Sequence, residues 1–350
     1  MRAYQGLRIS FSMALLLVSV CSQADMRTSI SVVGSSTVFP FAKVVAERFG
    51  KTSAFRTPTI EQTGTGGGFK EFCKGIGIQF VDINNASRRI KPSEFKLCQR
   101  NGVSAIVEML IGYDGIALAN ARGSEPMALS RKDIFLALAK KVPNPNGSPK
   151  LIDNPYKYWR DVNPALPKQK IHVFGPPSSS GTRDAFLELV MEAGCEQTPW
   201  LAELKQTNQT RFKKVCHILR EDGAFVDTGE NDNLIVQKLT INPKAVGIFG
   251  FSFLDQNGDK VQAVTVDGQA PSVASISNGD YVVSRPLYVY VKKAHVKVIP
   301  GMREFLLEFT SEKAWGEEGY LVDKGMIPLT VAERMAMREQ VLALREVHGF

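Results

Sequence analysis

The chain has 350 residues, of which 44% are hydrophobic, and 43 Lys and Arg against 35 Asp and Glu give it a formal net charge of +8. That length exceeds what one hydrophobic core usually supports, so we expect two lobes. The basic residues are scattered and are not interleaved with aromatic residues, which argues against a nucleic-acid partner. A diffuse positive excess of this kind favours the attraction of small anions.

The N-terminus has the pattern of a secretory signal peptide. Arg2 and Arg8 precede an apolar stretch at residues 9–20, and small residues occupy the positions read by a signal peptidase before a cut after Ala24. No later apolar run approaches the roughly 20 residues that span a bilayer. We therefore predict a soluble periplasmic protein that begins after Ala24, with lipidation at Cys21 as the alternative.

The first third of the chain alternates β-branched strands with amphipathic helices, which predicts an α/β fold. The predicted strands are 30–33, 59–62, 81–84, 105–111 and 115–119, and the predicted helices are 41–49, 68–74, 93–101 and 130–139.

The remainder continues the same alternation after a segment rich in Pro and Asn. That segment, 142–168, is predicted to be an ordered surface loop. The strands predicted after it are 171–174, 245–251 and 281–291, and the helices are 182–193, 302–309 and 331–345.

Four cysteines follow the predicted cleavage point, an even number that suits disulfide formation in an oxidising compartment. Three pairings are formally possible. We favour the local one, Cys73 with Cys98 and Cys195 with Cys216, in which each bridge closes a loop of about 20 to 25 residues and contributes roughly 3 kcal/mol. Free buried thiols are the alternative.

Three loops rich in Gly, Ser and Thr each follow a strand and open a helix. We call them loop 1 (residues 34–40, GSSTVFP), loop 2 (63–68, TGTGGG) and loop 3 (178–182, SSSGT). A helix N-terminus presents unpaired N–H groups and the positive end of the helix dipole, and both favour an anion. Any one loop could be an ordinary helix cap, but three together predict an anion site.

Two arginines stand beside these elements. Arg88 follows the strand end Asn85-Ala86-Ser87, and Arg183 follows loop 3 directly. Because a guanidinium fork matches the geometry of a tetrahedral oxyanion, both are candidates for direct contact. The alternative is that each makes an ion pair.

These motifs resemble the phosphate-binding subunits of bacterial high-affinity phosphate ABC transporters. The resemblance rests on GSSTVFPF, QTGTGGGFKEF, VDINNASRRI, GYDGIALAN, GPPSSSGTRDAF, VGIFGFSFL and VVSRPLYVYV, and it covers nearly the whole mature chain. It implies a two-lobed periplasmic binding protein of type II, in which each lobe is a mostly parallel sheet flanked by helices and the ligand lies in the cleft between the lobes.

The resemblance also implies the domain boundaries. Residues 25–115 and 286–350 would form lobe I and residues 116–285 lobe II, joined by crossovers near 116–119 and 284–287.

Carried over residue by residue, the resemblance implies a set of phosphate ligands from both lobes, without a cofactor or a metal. The set is Ser36, Thr37, Val38 (backbone), Thr65, Gly66, Ser87, Ser180, Gly181 and Thr182, with Arg88 and Arg183 as the added cations. The partners would be inorganic phosphate and the permease subunits of an ABC transporter, and the chain would be a monomer.

Two positions depart from well-known members of the family. Arg88 stands where some members carry an aspartate that accepts the proton of hydrogen phosphate, and Pro176 stands where some carry an arginine. Asp184 or Glu61 could supply an acceptor instead. Both departures bear on the discrimination between phosphate and sulfate.

Three other functions are weighed against phosphate capture. An enzyme would need a metal cluster or an activated nucleophile, and His172, His217, His295 and His348 show no ligand spacing, so we expect them to be structural or exposed. The same fold could instead bind sulfate, molybdate or another oxyanion. It could also serve as a phosphate scavenger, sensor or adhesion protein without a permease.

Overall fold

The structure is a computed structural model that describes residues 27–229 and 231–347. The predicted signal peptide, the possible lipidation at Cys21 and His348 lie outside these residues. Among the described residues, no helix combines the length and the hydrophobicity of a transmembrane span.

The first half of the molecule is built on a sheet with the strand order β2-β1-β3-β13-β4. The first three strands are parallel, and β13 runs antiparallel to both β3 and β4. Its strands are β1 Ser31–Gly34, β2 Thr59–Gln62, β3 Ile83–Ala86, β4 Ile106–Ala121 and β13 Ser284–Lys292. Its helices are α1 Phe39–Thr52, α2 Thr65–Phe72, α3 Pro92–Arg100, α13 Met302–Phe309, α14 Glu312–Trp315 and α15 Val331–Leu342.

The second half continues the sheet through β4 in the order β4-β10-β8-β9, and β11 also pairs with β4. Here β10, β8 and β9 are parallel, whereas β4 is antiparallel to β10. The strands are β5 Ala128–Leu129, β6 Lys141–Pro143, β7 Leu151–Asp153, β8 Val173–Gly175, β9 Phe225–Asp227, β10 Val246–Gly250, β11 Val261–Ala263 and β12 Thr265–Val266. The helices are α4 Arg131–Leu138, α5 Trp159–Val162, α6 Gly181–Phe186, α7 Glu192–Glu196, α8 Pro199–Thr207, α9 Gln209–Cys216, α10 Asp232–Ile241, α11 Phe251–Gln256 and α12 Val273–Ser277.

The predicted α/β class is confirmed, and most predicted elements lie within a few residues of the observed ones. The prediction of two strands at 105–111 and 115–119 is wrong, because β4 runs without a break from Ile106 to Ala121. The intervening Gly-Tyr-Asp-Gly has the composition of a turn. It stays extended because β13 pairs with it throughout, with one irregularity between Leu287 and Tyr288.

Two other expectations need correction. Residues 142–168 are not a plain loop, since β6 and β7 pair as a short hairpin and α5 carries the fully buried Trp159. The predicted helix 182–193 is divided into α6, a π-helical turn at Leu187–Met191, and α7.

The hydrophobic core is divided in the same way as the sheet. The first half has a cluster on each face of its sheet, because alternate residues of β13 point to opposite sides: Val289 and Val291 join one cluster and Tyr290 the other. The buried residues of the second half's cluster all lie between 116 and 283, except Ile327. The lobe boundaries 25–115, 116–285 and 286–350 remain a prediction, which this division supports.

The local disulfide pairing is confirmed. Cys73 is bonded to Cys98, which joins the end of α2 to α3, and Cys195 is bonded to Cys216, which joins α7 to α9. All four are fully buried in the hydrophobic clusters. Each bridge therefore reinforces one half of the molecule and does not connect the two.

A buried polar network ties the end of β13 to the rest of the first half. His295 Nδ1 lies 2.6 Å from an Asp82 carboxylate oxygen, and its Nε2 accepts the Gly77 N–H at 3.0 Å. Lys292, which is fully buried, donates to the Gly75 carbonyl at 2.6 Å. Burial lowers the pKa of this ammonium to about 8, against the opposing effect of Asp82.

We predict that Lys292 makes the stability of the protein rise between pH 8 and pH 10. The folded state binds this proton less tightly than the unfolded chain, so the free energy of unfolding increases with pH until the unfolded lysine also loses its proton, near pH 10. Over that range the lysine should account for about 3 kcal/mol. The Lys292→Met variant should lack this rise in urea unfolding measured at pH 7 to 10. A difference between wild type and variant that does not change with pH would contradict the prediction.

Candidate anion-binding site

Loop 1 is held against the end of β3 by a close backbone contact. Gly34 has a φ of 131°, and a Cβ at this position would lie 2.1 Å from the Asn85 carbonyl oxygen. The next residue, Ser35, donates its N–H to that same oxygen at 2.9 Å. The glycine therefore places Ser36 and Thr37 beside the strand end that carries Ser87.

Loop 2 differs from the prediction, because its glycines form the first turn of α2 rather than a loop before residue 68. The cause is packing. A Cβ on Gly68 would lie 2.0 Å from the Asn84 side-chain oxygen and 2.7 Å from Gly34 Cα, so α2 approaches β1 and β3 only with glycine here. As a result Thr65 is the first residue of the helix, with Gly64 as its cap at a φ of 69°.

Thr65 and Ser87, both predicted ligands, lie in contact. The Ser87 N–H donates to Thr65 Oγ1 at 3.1 Å, and the two hydroxyl oxygens are also 3.1 Å apart. Each hydroxyl retains a hydrogen or a lone pair for a further partner. The pair forms a small polar platform at the N-terminus of α2.

Loop 3 meets loop 1 across the two halves. The Ser36 hydroxyl donates to Asp184 Oδ2 at 2.5 Å, and the Thr37 hydroxyl lies 3.4 Å from the Gly181 carbonyl oxygen. A Cβ on Gly181 would lie 2.9 Å from the backbone carbonyl oxygen of Ser36 and 2.9 Å from Thr37 Cα. The N-termini of α1 and α6 are thus brought together.

The other predicted residues of these loops are capping groups. Ser180 caps α6 by accepting the Thr182 N–H at 3.2 Å. Val38 is buried, and its N–H lies 3.4 Å from the Ser35 hydroxyl oxygen.

A cleft of about 970 Å³ lies between the halves, and of the three loops only loop 2 lines it. Four residues of the predicted set line it: Thr65, Gly66, Ser87 and Arg88. The other seven do not: Ser36, Thr37, Val38, Ser180, Gly181, Thr182 and Arg183. Its charged lining is mainly basic and comes from both halves: Lys70, Arg88, Arg89, Lys91, Arg100, Lys205, Lys213 and Arg285, with Glu94, Glu188 and Glu192.

The two arginines singled out from the sequence have intramolecular partners. Arg88 binds Glu94 through both terminal nitrogens, at 2.8 and 2.7 Å. Arg183 donates to the Pro176 carbonyl at 3.0 Å and lies 4.4 Å over the Phe225 ring, and burial lowers its pKa. Their contact with an anion stays a prediction, and these contacts favour the alternative of a structural role for both.

Sequence reasoning missed Arg285. It belongs to the quoted segment VVSRPLYVYV and is the one cation among its apolar residues, which is the signal that was available. In the structure it lines the cleft together with Thr65 and Ser87, and it donates to the Thr37 hydroxyl oxygen of loop 1. It therefore connects loop 1 with the cleft that Thr65 and Ser87 also line.

The arrangement offers donors for an anion rather than reactive groups. The described residues contain no cluster of His, Cys, Asp and Glu that could hold a metal ion. His217 lies 2.6 Å from Glu192, and His172 lies 3.0 Å from Asn242, so both have structural partners, as His295 does. Hydroxyls, helix N-termini and a guanidinium fit the recognition of an oxyanion.

Comparison with known proteins identifies relatives of this chain. Residues 21–313 match the model of the PBP superfamily domain. Protein SphX of Synechococcus elongatus is 31% identical over 299 residues, which cover 82% of this chain and 76% of SphX. Phosphate-binding protein PstS of Staphylococcus saprophyticus is 30% identical over 305 residues, which cover 85% of this chain and 79% of PstS.

The chain belongs to the PstS family of phosphate-binding proteins. Among solved structures, a possible phosphate-binding protein from Planctomyces limnophilus has a TM-score of 0.70 and 27% identity and covers 91% of this chain and 99% of its own. The curated relatives of the PstS family are named for phosphate binding, which is not an enzymatic activity. The predicted resemblance, fold and non-enzymatic class are confirmed.

We predict that Gly34→Ala lowers the free energy of unfolding by about 2–4 kcal/mol, because the added methyl group meets the Asn85 backbone and the positive φ is unfavourable for alanine. Chemical denaturation measures the change. Gly123→Ala is the matched control, since Gly123 also has a positive φ, 81°, but has nothing within 4 Å of its Cβ position. Equal losses in both variants would mean that the contact with Asn85 is not a constraint.

Proposed function

We propose that this chain captures inorganic phosphate in the cleft between its two halves and delivers it to the permease subunits of an ABC transporter. Membership of the PstS family supports the ligand class and the role. One structural observation carries the proposal further: loop 1 and loop 3 come from different halves and meet at the N-termini of α1 and α6. Donors from both halves can therefore surround one anion.

The proposed ligands are the hydroxyl and backbone groups carried by these elements. Loop 1 contributes Ser36, Thr37 and the Val38 N–H, the platform contributes Thr65, Gly66 and Ser87, and loop 3 contributes Ser180, Gly181 and Thr182. A divalent anion is costly to bury unless its lone pairs all meet donors. The requirement for both sets of donors makes ligand binding favour the closed arrangement of the lobes, which is the form a permease would recognise.

The Ser36 hydroxyl of loop 1 is already hydrogen-bonded to an anionic oxygen. Its hydroxyl donates to the Asp184 carboxylate at 2.5 Å, and Asp184 lies in the first turn of α6. The same carboxylate is a candidate for the proton acceptor that Arg88 does not supply. An acceptor in this position would favour hydrogen phosphate over sulfate, which carries no proton at neutral pH.

We further propose that the chain is exported to the periplasm, that the signal peptide is cleaved after Ala24, and that the mature protein is a monomer. The N-terminal pattern supports export. A monomer leaves one face of each lobe available to the transporter. Capture of sulfate or molybdate, or a scavenging role without a permease, is the alternative.

The first experiment is calorimetric titration of the ligand-stripped mature protein with phosphate, sulfate and molybdate at neutral pH. We expect one-to-one phosphate binding without detectable binding of sulfate. Equal binding of sulfate would support the broader oxyanion alternative, and a protein that binds none of the three would refute the capture function.

We also predict that Thr65→Ala weakens phosphate binding by about 1–3 kcal/mol, the usual cost of removing a donor to a charged group. Thr65→Ser, which keeps the hydroxyl, should restore most of the affinity. Thr63→Ala is the matched control, because Thr63 is exposed and precedes the helix. Wild-type affinity in Thr65→Ala would show that the platform of Thr65 and Ser87 is not part of the phosphate site.

A further inference from the structure

Arg285 occupies an unusual place for a charged side chain. It lies at the start of β13, directly opposite Asp114 of β4, where the two strands pass from one half of the molecule to the other. Only 6% of the residue is exposed. A guanidinium is rarely buried to this extent without a compensating partner, so its contacts indicate its role.

The contacts of Arg285 reach three parts of the structure. One terminal nitrogen donates to Thr37 Oγ1 of loop 1, and the other donates to Glu188 Oε2 in the π-helical turn at 2.8 Å. The third nitrogen, Nε, lies 3.6 Å from Asp114 Oδ2 and has no hydrogen-bond partner in the part of the chain that the structure describes. The side chain thus contacts both halves and the strand that joins them.

The two carboxylates beside Arg285 differ in how easily their ion pairs with it can break. Asp114 is buried on the adjacent strand, and burial raises the pKa of its carboxyl group against the effect of Arg285. The Glu188 side chain is 47% exposed, so it can turn into water at little cost. Of the two carboxylates, Glu188 is the one that an incoming anion can replace.

The same guanidinium orients the hydroxyl group of Thr37. Because its oxygen accepts from Arg285, its hydrogen points to another acceptor, and the nearest one, the Gly181 carbonyl, is 3.4 Å away. That distance is long for a hydroxyl donor. The Thr37 hydrogen is therefore available to an anion placed between loop 1, loop 3 and the guanidinium.

We propose that Arg285 is the cation of the anion site and that bound phosphate replaces the Glu188 carboxylate on its guanidinium. The inference rests on the proposed function. It assigns to Arg285 the role of anion-binding cation that the sequence analysis predicted for Arg88 and Arg183. Those two arginines hold Glu94 and the Pro176 carbonyl. Arg285, in contrast, bonds a predicted ligand and a carboxylate that can be exchanged.

The test compares phosphate titrations of wild type, Arg285→Gln, Glu188→Gln and the double variant. Arg285→Gln should weaken binding by about 10- to 100-fold, the loss expected for a charge-assisted hydrogen bond. Glu188→Gln should tighten binding by about 2- to 5-fold, since it removes a competitor for the guanidinium. In the Arg285→Gln background the Glu188→Gln substitution should have no effect, because the competition is gone.

Arg89→Gln is the matched control. Arg89 lines the same cleft and pairs with Glu108, but its side chain is 53% exposed. Its replacement therefore tests the effect of the positive electrostatic potential of the cleft, without removing a direct contact to the bound anion. We expect binding within about 3-fold of wild type for this variant.

The outcomes separate this inference from the proposed function. Wild-type protein that binds no phosphate would overturn both. Wild-type protein that binds phosphate, with Arg285→Gln equally tight or Glu188→Gln weaker, would overturn the role of Arg285 alone. If Arg285→Gln does not fold, Glu188→Gln still decides, because a half-exposed glutamate can be replaced without loss of the fold.

Discussion

The antiparallel pairing of β4 with β13 is the constraint on which the rest of the molecule depends. It extends from Ile106 opposite Lys292 to Gly115 opposite Ser284, and β4 then continues the sheet into the second half through its pairing with β10. Loops 1 and 3 belong to different halves, which this pair of strands joins, and they meet at the N-termini of α1 and α6.

The site is assembled from backbone contacts that permit little adjustment. Gly34 lets loop 1 lie on Asn85, Gly68 lets α2 lie on Gly34 and Asn84, and Gly181 lets loop 3 lie on loop 1. Each glycine is required by a neighbouring backbone or buried side chain and not by the ligand. The hydroxyl and N–H groups of these loops are thus held in place by packing, which would reduce the ordering cost of binding an anion in the proposed site.

The sequence predicted most of the fold, because buried strands and amphipathic helices carry local patterns. It failed where tertiary pairing overrides local composition: Gly112 to Gly115 has the composition of a turn but forms part of β4. The disulfides were predictable from spacing. The three loops and their hydroxyls could be found, but the partners of the arginines could not. Nothing local to Arg88 or Arg285 shows that one meets Glu94 and the other meets Thr37 and Glu188.

The basic lining of the cleft has a consequence for the kinetics of capture. Of its eleven charged side chains eight are cations, drawn from both halves, and Lys70, Lys91 and Arg100 among them are exposed. Such a field raises the encounter rate of small anions and acts only within the Debye length, about 8 Å at physiological ionic strength. The encounter with phosphate should therefore be fastest at low ionic strength, while the hydrogen bonds that would retain the anion are far less sensitive to salt.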